Sequence, residues 1–234
     1  MNSIAVMQPY FFPYIGYFQL INEVDKFVFY DDVDFIKNGW INRNRILING
    51  EPKYFTIPCK DVSSNKLINL VEHALDERSK KKLLKKIRFT YSNAPYFENV
   101  FPVIEKVFEK ETELISELAI ESITRVTDYL ELECEFQKSS ENYDNQELDA
   151  ADRLIDICKI EKITHYVNPI GGEELYDKKY FIENEVKLDF LKPAITEYEQ
   201  FKHEFVPGLS IIDVLMFNSV SDINKKLLIN YKLI

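Results

Sequence analysis

The strongest constraint on the fold is an abrupt change of apolar pattern near the start of the chain. Ile4, Ala5, Val6 and Met7 form an unbroken apolar run, Gln8 and Pro9 end it, and an aromatic, proline-punctuated stretch leads into apolar residues at helical spacing over 14–24. So short a run, bounded by proline, reads as a buried strand, and the change of period predicts strand, loop and helix in that order. Pro13 suits a first helical turn, where its missing N–H is not needed, and the helix is expected to end near Asp25. The following KFVFYDDVDF is rich in β-branched and aromatic residues and reads as a second strand closed by Asp31 and Asp32. A chain that opens in this way points to an α/β sheet.

Later segments extend the alternation. RILI and KYFTIP flank Asn49-Gly50, the signature of a tight hairpin. Apolar residues at i, i+3, i+4 and i+7 predict amphipathic helices over 75–89 and 100–130, separated by Ser92-Asn93-Ala94-Pro95. LELECEF at 130–136 alternates as a strand, 149–157 is helical, and ITHYVNP at 163–169 is a strand entering Gly171-Gly172. A short helix at 176–183 and a last strand at 186–191 follow, and Ser210 with Asp213 three residues on marks a helix start resembling a capping box. A length of 234 residues suits one core. The expectation is a single α/β domain over 1–234 with a largely parallel sheet and a mainly helical segment at about 75–130.

Lys plus Arg total 29 against 39 Asp plus Glu, and the net charge of −10 argues against non-specific nucleic-acid binding. No apolar run reaches the ~18 residues of a membrane span, and the N-terminus lacks a secretory pattern, so the expected location is cytoplasmic. Cys59, Cys134 and Cys158 are odd in number and dispersed, which reads as reduced, mostly core thiols. His73, His165 and His203 show no metal-ligand spacing; no transition-metal site is expected, and an all-oxygen Mg²⁺ site on Asp31 or Asp32 stays open. His73 and His203 read as surface residues.

Two segments carry the candidate chemistry. Ligands of open α/β sheets bind beyond the carboxyl ends of the strands, and the first such loop is 8–17, with Gln8, Tyr10, Tyr14 and Tyr17 as pocket groups and Gly16 admitting a close approach. The plain alternative is a Tyr-rich core turn. The second segment, 37–45, gathers Lys37, Asn42, Arg43, Asn44, Arg45 and the only Trp of an acidic protein. Arg43 and Arg45 lie two apart, so on a strand they share a face and can fork a phosphate or carboxylate, unless they pair with Asp31, Asp32 or Asp34. His165, Tyr166 and Asn168 enter the glycine pair; His165 is a candidate base, and Tyr166 faces away from it. The loops at 8–17, 31–45 and 168–172 are expected to meet in one cleft.

Tyr14-Ile15-Gly16-Tyr17 stands where His-x-Gly-His stands in HIGH-type nucleotide-binding folds, with Ser210 before a late helix, although both His are absent. A broader resemblance runs through MQPYFFPYIGYFQLI, YDDVDFIKNGWINRNRI, YSNAPYF, the Tyr-x-Asn-Pro-x-Gly-Gly segment at 166–172 and FVPGLSIIDVLMFN. In order and over this length these resemble the WbqC-like protein family. The resemblance implies a role in bacterial O-antigen or surface-polysaccharide biosynthesis, with glycine or aminoacyl transfer to an amino sugar as the expected reaction. The expected substrates are a sugar nucleotide or amino acid, with ATP or Mg²⁺ as candidate cofactors and Asp31 or Asp32 as the base that deprotonates the attacking amine. A nucleotidylyl or adenylate-forming enzyme and a non-catalytic sugar-nucleotide-binding module are the alternatives.

Overall fold

The computed structural model describes residues 3–202 and 204–234, so the expectation for His203 lies outside the described residues. Strand β1 (Ser3–Met7) is followed by helix α1 (Ile15–Glu23) and strand β2 (Lys26–Phe29). β1 is central: it pairs in parallel with β2 and with β6 (His165–Pro169), and such two-sided pairing explains its continuous apolar run. β5 (Glu135–Gln137) extends the sheet beyond β2, and β7 (Lys187–Pro193) and β8 (Tyr231–Leu233) extend it beyond β6. The order is β5-β2-β1-β6-β7-β8, parallel except for β8. The fold is therefore α/β, built on a six-stranded, mostly parallel sheet. Strand order reverses at β1, and the β1–β6 ladder holds only Ser3↔His165 and Ile4↔Tyr166, whereas β1–β2 stays paired through Met7↔Phe29. A crevice at the carboxyl edge is expected at such a reversal.

Alternation sorts the strands into two faces. Ala5, Phe27, Phe29, Val167 and Leu191 join one core with α1, α2 (Glu77–Tyr91), α3 (Phe97–Phe108), α4 (Ile115–Tyr129) and α7 (Ile211–Phe217). Ile4, Val6, Val28, Tyr166, Leu188 and Phe190 face the opposite core, covered by α5 (Ala150–Glu161) and α6 (Lys178–Glu183). The helical stretch expected at 100–130 is two helices. Charged residues at 109–113 interrupt the apolar stripe, Thr112 Oγ1 accepts the Leu114 N–H at 3.1 Å, and the Ile115 N–H bonds Val71 at 2.9 Å.

The expected hairpin is present: β3 (Arg43–Ile48) and β4 (Glu51–Thr56) pair antiparallel as a separate two-stranded sheet packed on the first core. Two expectations need correction. Residues 130–131 form the turn that ends α4, with Glu131 at φ 56°, 132–134 have no regular structure, and only β5 pairs in the sheet. The last strand is β8, antiparallel to β7. The Asn49-Gly50 turn has φ 53° and φ 76°, the left-handed pair that matches strand twist. A β-carbon at Gly50 meets that conformation unfavourably, so Gly50→Ala should lower the urea-unfolding free energy by about 1–2 kcal/mol.

Candidate functional site

The loop between β1 and α1 is held from three sides. Asn44 on β3 donates its amide to Phe12 O at 2.8 Å and Phe11 O at 3.3 Å, and Trp40 O accepts the Phe11 N–H at 3.0 Å. From α4, Ser122 Oγ accepts the Phe12 N–H at 2.9 Å; from the start of α7, Ser210 Oγ donates to Phe12 O at 2.8 Å. Phe11 and Phe12 are buried and anchor the loop, while Tyr10 and Tyr14 stay half-buried at its surface. Asn44 and Ser210, expected to read substrate, are fully engaged in this clamping; Asn44 Oδ1 also accepts the Arg45 N–H at 2.8 Å. Asn42 likewise binds Ile57 O at 2.8 Å, tying β3 to the chain beyond β4.

The clamped loop walls a cavity of about 330 Å³, lined by Tyr10, Pro13, Tyr14, Trp40, Asn44 and Gly208. Arg45 lies at its margin. Its Nη2 donates to Gly208 O at 2.9 Å, its guanidinium carbon lies 5.6 Å from the Trp40 ring, and its Nε is buried without a partner among the described residues. Arg43 is stacked over Tyr54 at 4.5 Å and bonds the 38–39 turn through Asn38 and Gly39. The Trp40 and Tyr54 rings are 6.3 Å apart, so the order along the hairpin is Arg43, Tyr54, Trp40, Arg45. The expected fork is divided, because Arg43 serves the turn and only Arg45 adjoins the cavity. Lys37 is exposed on that turn.

Tyr14 owes its position to Gly16. A β-carbon at Gly16 would fall 2.4–2.7 Å from the Tyr14 ring, which therefore lies against the first turn of α1. Tyr17, expected as a pocket wall, is 2% exposed in the core beside Phe18 and Phe27, and its hydroxyl donates to Gln8 O at 2.9 Å. Burial raises its phenol well above the usual range. Gln8 Oε1 is buried and unpartnered among the described residues. Beyond Tyr14 and Gly208 lies a second chamber of about 290 Å³, mainly apolar, with Ile15, Phe205, Leu209 and Val214 in its walls.

The strap that carries Gly208 is fixed by a buried carboxylate. Asp213 accepts from Tyr91 Oη at 2.8 Å, Tyr198 Oη at 2.8 Å and Gln200 Nε2 at 2.7 Å. Burial raises its pKa, and no cation is bonded to it among the described residues. Ser210 does cap α7 through the Ile212 N–H at 3.3 Å, but Asp213 does not complete a capping box: its side chain turns inward to the two tyrosines.

The proposed acids and histidine lie elsewhere. Asp32 is buried under the second face, bonded to Arg153, to Gln146 Nε2 at 2.9 Å and to Ser140 Oγ. Three donors, one of them a buried guanidinium, make it an anchor between the sheet and α5 rather than a wall of the aromatic pocket. His165 opens β6 and so stands at the amino edge, paired to Asp189 at 2.9 Å beside Lys187. Tyr166 donates to Asn168 Oδ1 at 2.9 Å within the second core. Asp31 follows the end of β2, accepts from Ser139 Oγ at 2.6 Å, and has its carboxyl pushed up to about 6, chiefly by burial. It lines a groove along α4.

The single cleft expected for the three loops is thus not formed. Tyr14 lines the aromatic pocket, Asp31 another cavity, and Asn168 packs against Tyr166 on the opposite face. Alternation along β6 is the reason: it directs Tyr166 and Asn168 away from the face that carries α1 and the hairpin. Trp40, Pro13 and Gly208 were not among the site residues read from the sequence. The lone Trp was a signal for the first; Gly208 meets Arg45 across 163 residues, a separation on which no local pattern reports. Burial pushes the thiols of Cys59, Cys134 and Cys158 up to about 11, 12 and 12, so none supplies a thiolate near neutrality; only Cys158 is fully buried. Among the described residues no group of three or more His, Cys, Asp or Glu is placed to hold a metal, and no helix is long and apolar enough to cross a membrane.

The chain is similar to "Uncharacterized protein Rv1507c" of Mycobacterium tuberculosis (strain ATCC 25618 / H37Rv), 27% identical over 222 residues, which covers 93% of this chain and 94% of that protein. No solved structure matches it. The profile of the WbqC-like protein family matches residues 8–225, a span that contains the β1 loop, the hairpin and the Gly208 strap, and the chain belongs to that family.

Proposed function

We propose that this chain is a cytoplasmic transferase of bacterial O-antigen or surface-polysaccharide assembly, which binds a phosphate-bearing amino sugar and joins glycine or another small aminoacyl group to its amine. The observation that supports this reading is the pocket of Tyr10, Tyr14 and Trp40 with Arg45 at its margin, in a protein of net charge −10. Aromatic faces pack against sugar rings or bases, and a guanidinium recognises phosphate. No side chain caps α1; its Tyr17 N–H returns to Tyr14 O, and the amides of Ile15 and Gly16 add donors beside the pocket. In the reaction the neutral amine nitrogen attacks the activated carbonyl carbon, the C–N bond forms, the bond to the leaving group breaks, and the amine proton passes to a base. The donor is an aminoacyl group already activated at its carboxyl, by ATP with Mg²⁺ if the activation occurs on this protein.

The reversal of strand order at β1 favours nucleotide binding and so keeps the adenylate-forming alternative in view. Against it, Tyr17 holds the place of the second HIGH histidine yet points into the core. Calorimetric titration with UDP-glucosamine tests the pocket. Trp40→Ala and Arg45→Ala should each weaken binding roughly tenfold, as expected for one lost stacking or charged contact of about 1–3 kcal/mol. Gly16→Ala should do the same by displacing Tyr14, with unfolding little changed. Wild-type affinity in all three variants, or no binding to the parent protein, sinks the assignment. Binding without incorporation of labelled glycine would favour the non-catalytic module.

A further inference from the structure

A groove of about 590 Å³ runs along α4 from Leu114 to Asp128 and is closed by the residues that follow β5. It shares no lining residue with the aromatic pocket. Asp31, 4% exposed, forms part of its wall. Both hydrogen bonds to the Asp31 side chain, from Ser139 Oγ at 2.6 Å and the Ser140 N–H at 3.3 Å, end on Oδ1. Oδ2 takes none from any other described residue and keeps some accessible surface, on the side where Asp31 lines the groove. No cation is paired with Asp31 among the described residues, because Arg153 belongs to Asp32.

The surrounding charge is mixed, with acids in excess. Glu117, Glu121, Asp128 and Glu141 line the groove with Asp31, against Lys110, Arg125 and Lys138. Arg125 is already bonded to Glu121 at 2.6 Å. The five carboxylates against three cations leave a negative excess that attracts a cationic ligand. A carboxylate oxygen that faces a recessed groove is free to accept, and an ammonium group supplies both the opposite charge and three donors. A divalent ion fits less well: it needs several converging oxygens, and among the described residues no group of three acids is so placed.

We propose that this groove is a binding site for a small polyhydroxylated primary amine, such as an amino sugar, with the ammonium on Asp31 Oδ2 and hydroxyls toward Ser116, Thr124 and Ser139. The volume lies in the range of small-molecule sites, and the position, just past the carboxyl end of β2, is where such sheets bind ligands. With its carboxyl near 6, Asp31 is mostly ionised at neutral pH. The inference does not depend on the transferase reading.

NMR titration of the full chain at neutral pH with glucosamine, N-acetylglucosamine and glucose tests it. Glucosamine should bind at least about tenfold more tightly than the two neutral sugars, consistent with one charge-assisted contact. Asp31→Asn should abolish that preference, and Thr124→Leu, which fills the groove without touching Asp31, should weaken glucosamine binding as well. Trp40→Ala should leave it unchanged, and a parent protein that binds glucosamine but not UDP-glucosamine would count against the aromatic pocket only. Equal affinity for glucosamine and N-acetylglucosamine, no binding of either, an unaffected Asp31→Asn variant, or displacement of glucosamine by Mg²⁺ each overturns the proposal.

Discussion

Asp32→Asn should destabilise this protein by about 3–5 kcal/mol, the usual cost of leaving a buried partner charge uncompensated. Asp32 and Arg153 are 5% and 3% exposed, and the guanidinium also donates to Asn145 Oδ1 at 2.9 Å and lies 4.8 Å from the Tyr30 ring. The substitution removes the charge that balances Arg153 and leaves the arginine where water cannot reach it. For a chain of this size each kcal/mol shifts the melting temperature by about 2–4 °C, so a fall of roughly 6–20 °C is expected in a thermal scan. Replacing both residues, as Asp32→Asn with Arg153→Met, should recover much of that loss, because a well-packed apolar group can stand in for a buried ion pair. Folded Asp32→Asn protein, held at low temperature, should bind UDP-glucosamine as the parent does. A melting temperature within a degree or two of the parent would show that the pair does not hold α5 to the sheet, and would reopen a chemical role for Asp32.

The second large effect is expected at Asp213, where one carboxylate accepts from Tyr91, Tyr198 and Gln200. Asp213→Ala strands the hydroxyls of buried Tyr91 and half-buried Tyr198 at about 1–3 kcal/mol each, while Gln200 keeps its bond to Val206 O and relief of the carboxylate's own desolvation works in the opposite direction; a net loss of roughly 3 kcal/mol is expected. The Gly208 strap is pinned through the same group, so its protection against hydrogen exchange should fall more than that of β1. The pH dependence has a defined sign. Burial raises the folded-state pKa of Asp213 above that of the unfolded chain, so its contribution is fully present below the unfolded value and is lost as pH rises through the folded one. Asp31, with its carboxyl near 6, acts in the same direction over roughly pH 4 to 6. Stability measured by urea unfolding should therefore carry a component that declines with rising pH, and Asp213→Asn should remove part of it. An unchanged pH profile in Asp213→Asn would show that this carboxyl is not perturbed.

Much of the local structure was legible because its causes are local. The Asn49-Gly50 turn follows from which residues tolerate positive φ, β1 from an apolar run of strand length, and the start of α7 from one hydroxyl at Ser210. The β1 loop and the Trp40–Arg45 segment could be singled out as the place where polar and aromatic chemistry gathers, since composition is visible without coordinates. The position of His165 was not legible: the expected strand began at 163, and only the sheet shows that His165 opens it, at the edge opposite the ligand-binding loops. What only the tertiary structure decided are pairings across long separations. Asp32 and Arg153 are 121 residues apart, Tyr91 and Asp213 are 122, and Arg45 meets Gly208 across 163. No periodicity within a strand or helix encodes these, because they depend on strand order and on the face each loop leaves from. Residue types and turn geometry are properties of a few neighbouring positions; the neighbours that make Asp32 a buried anchor and leave Asp31 open to a groove exist only once the sheet has closed around them.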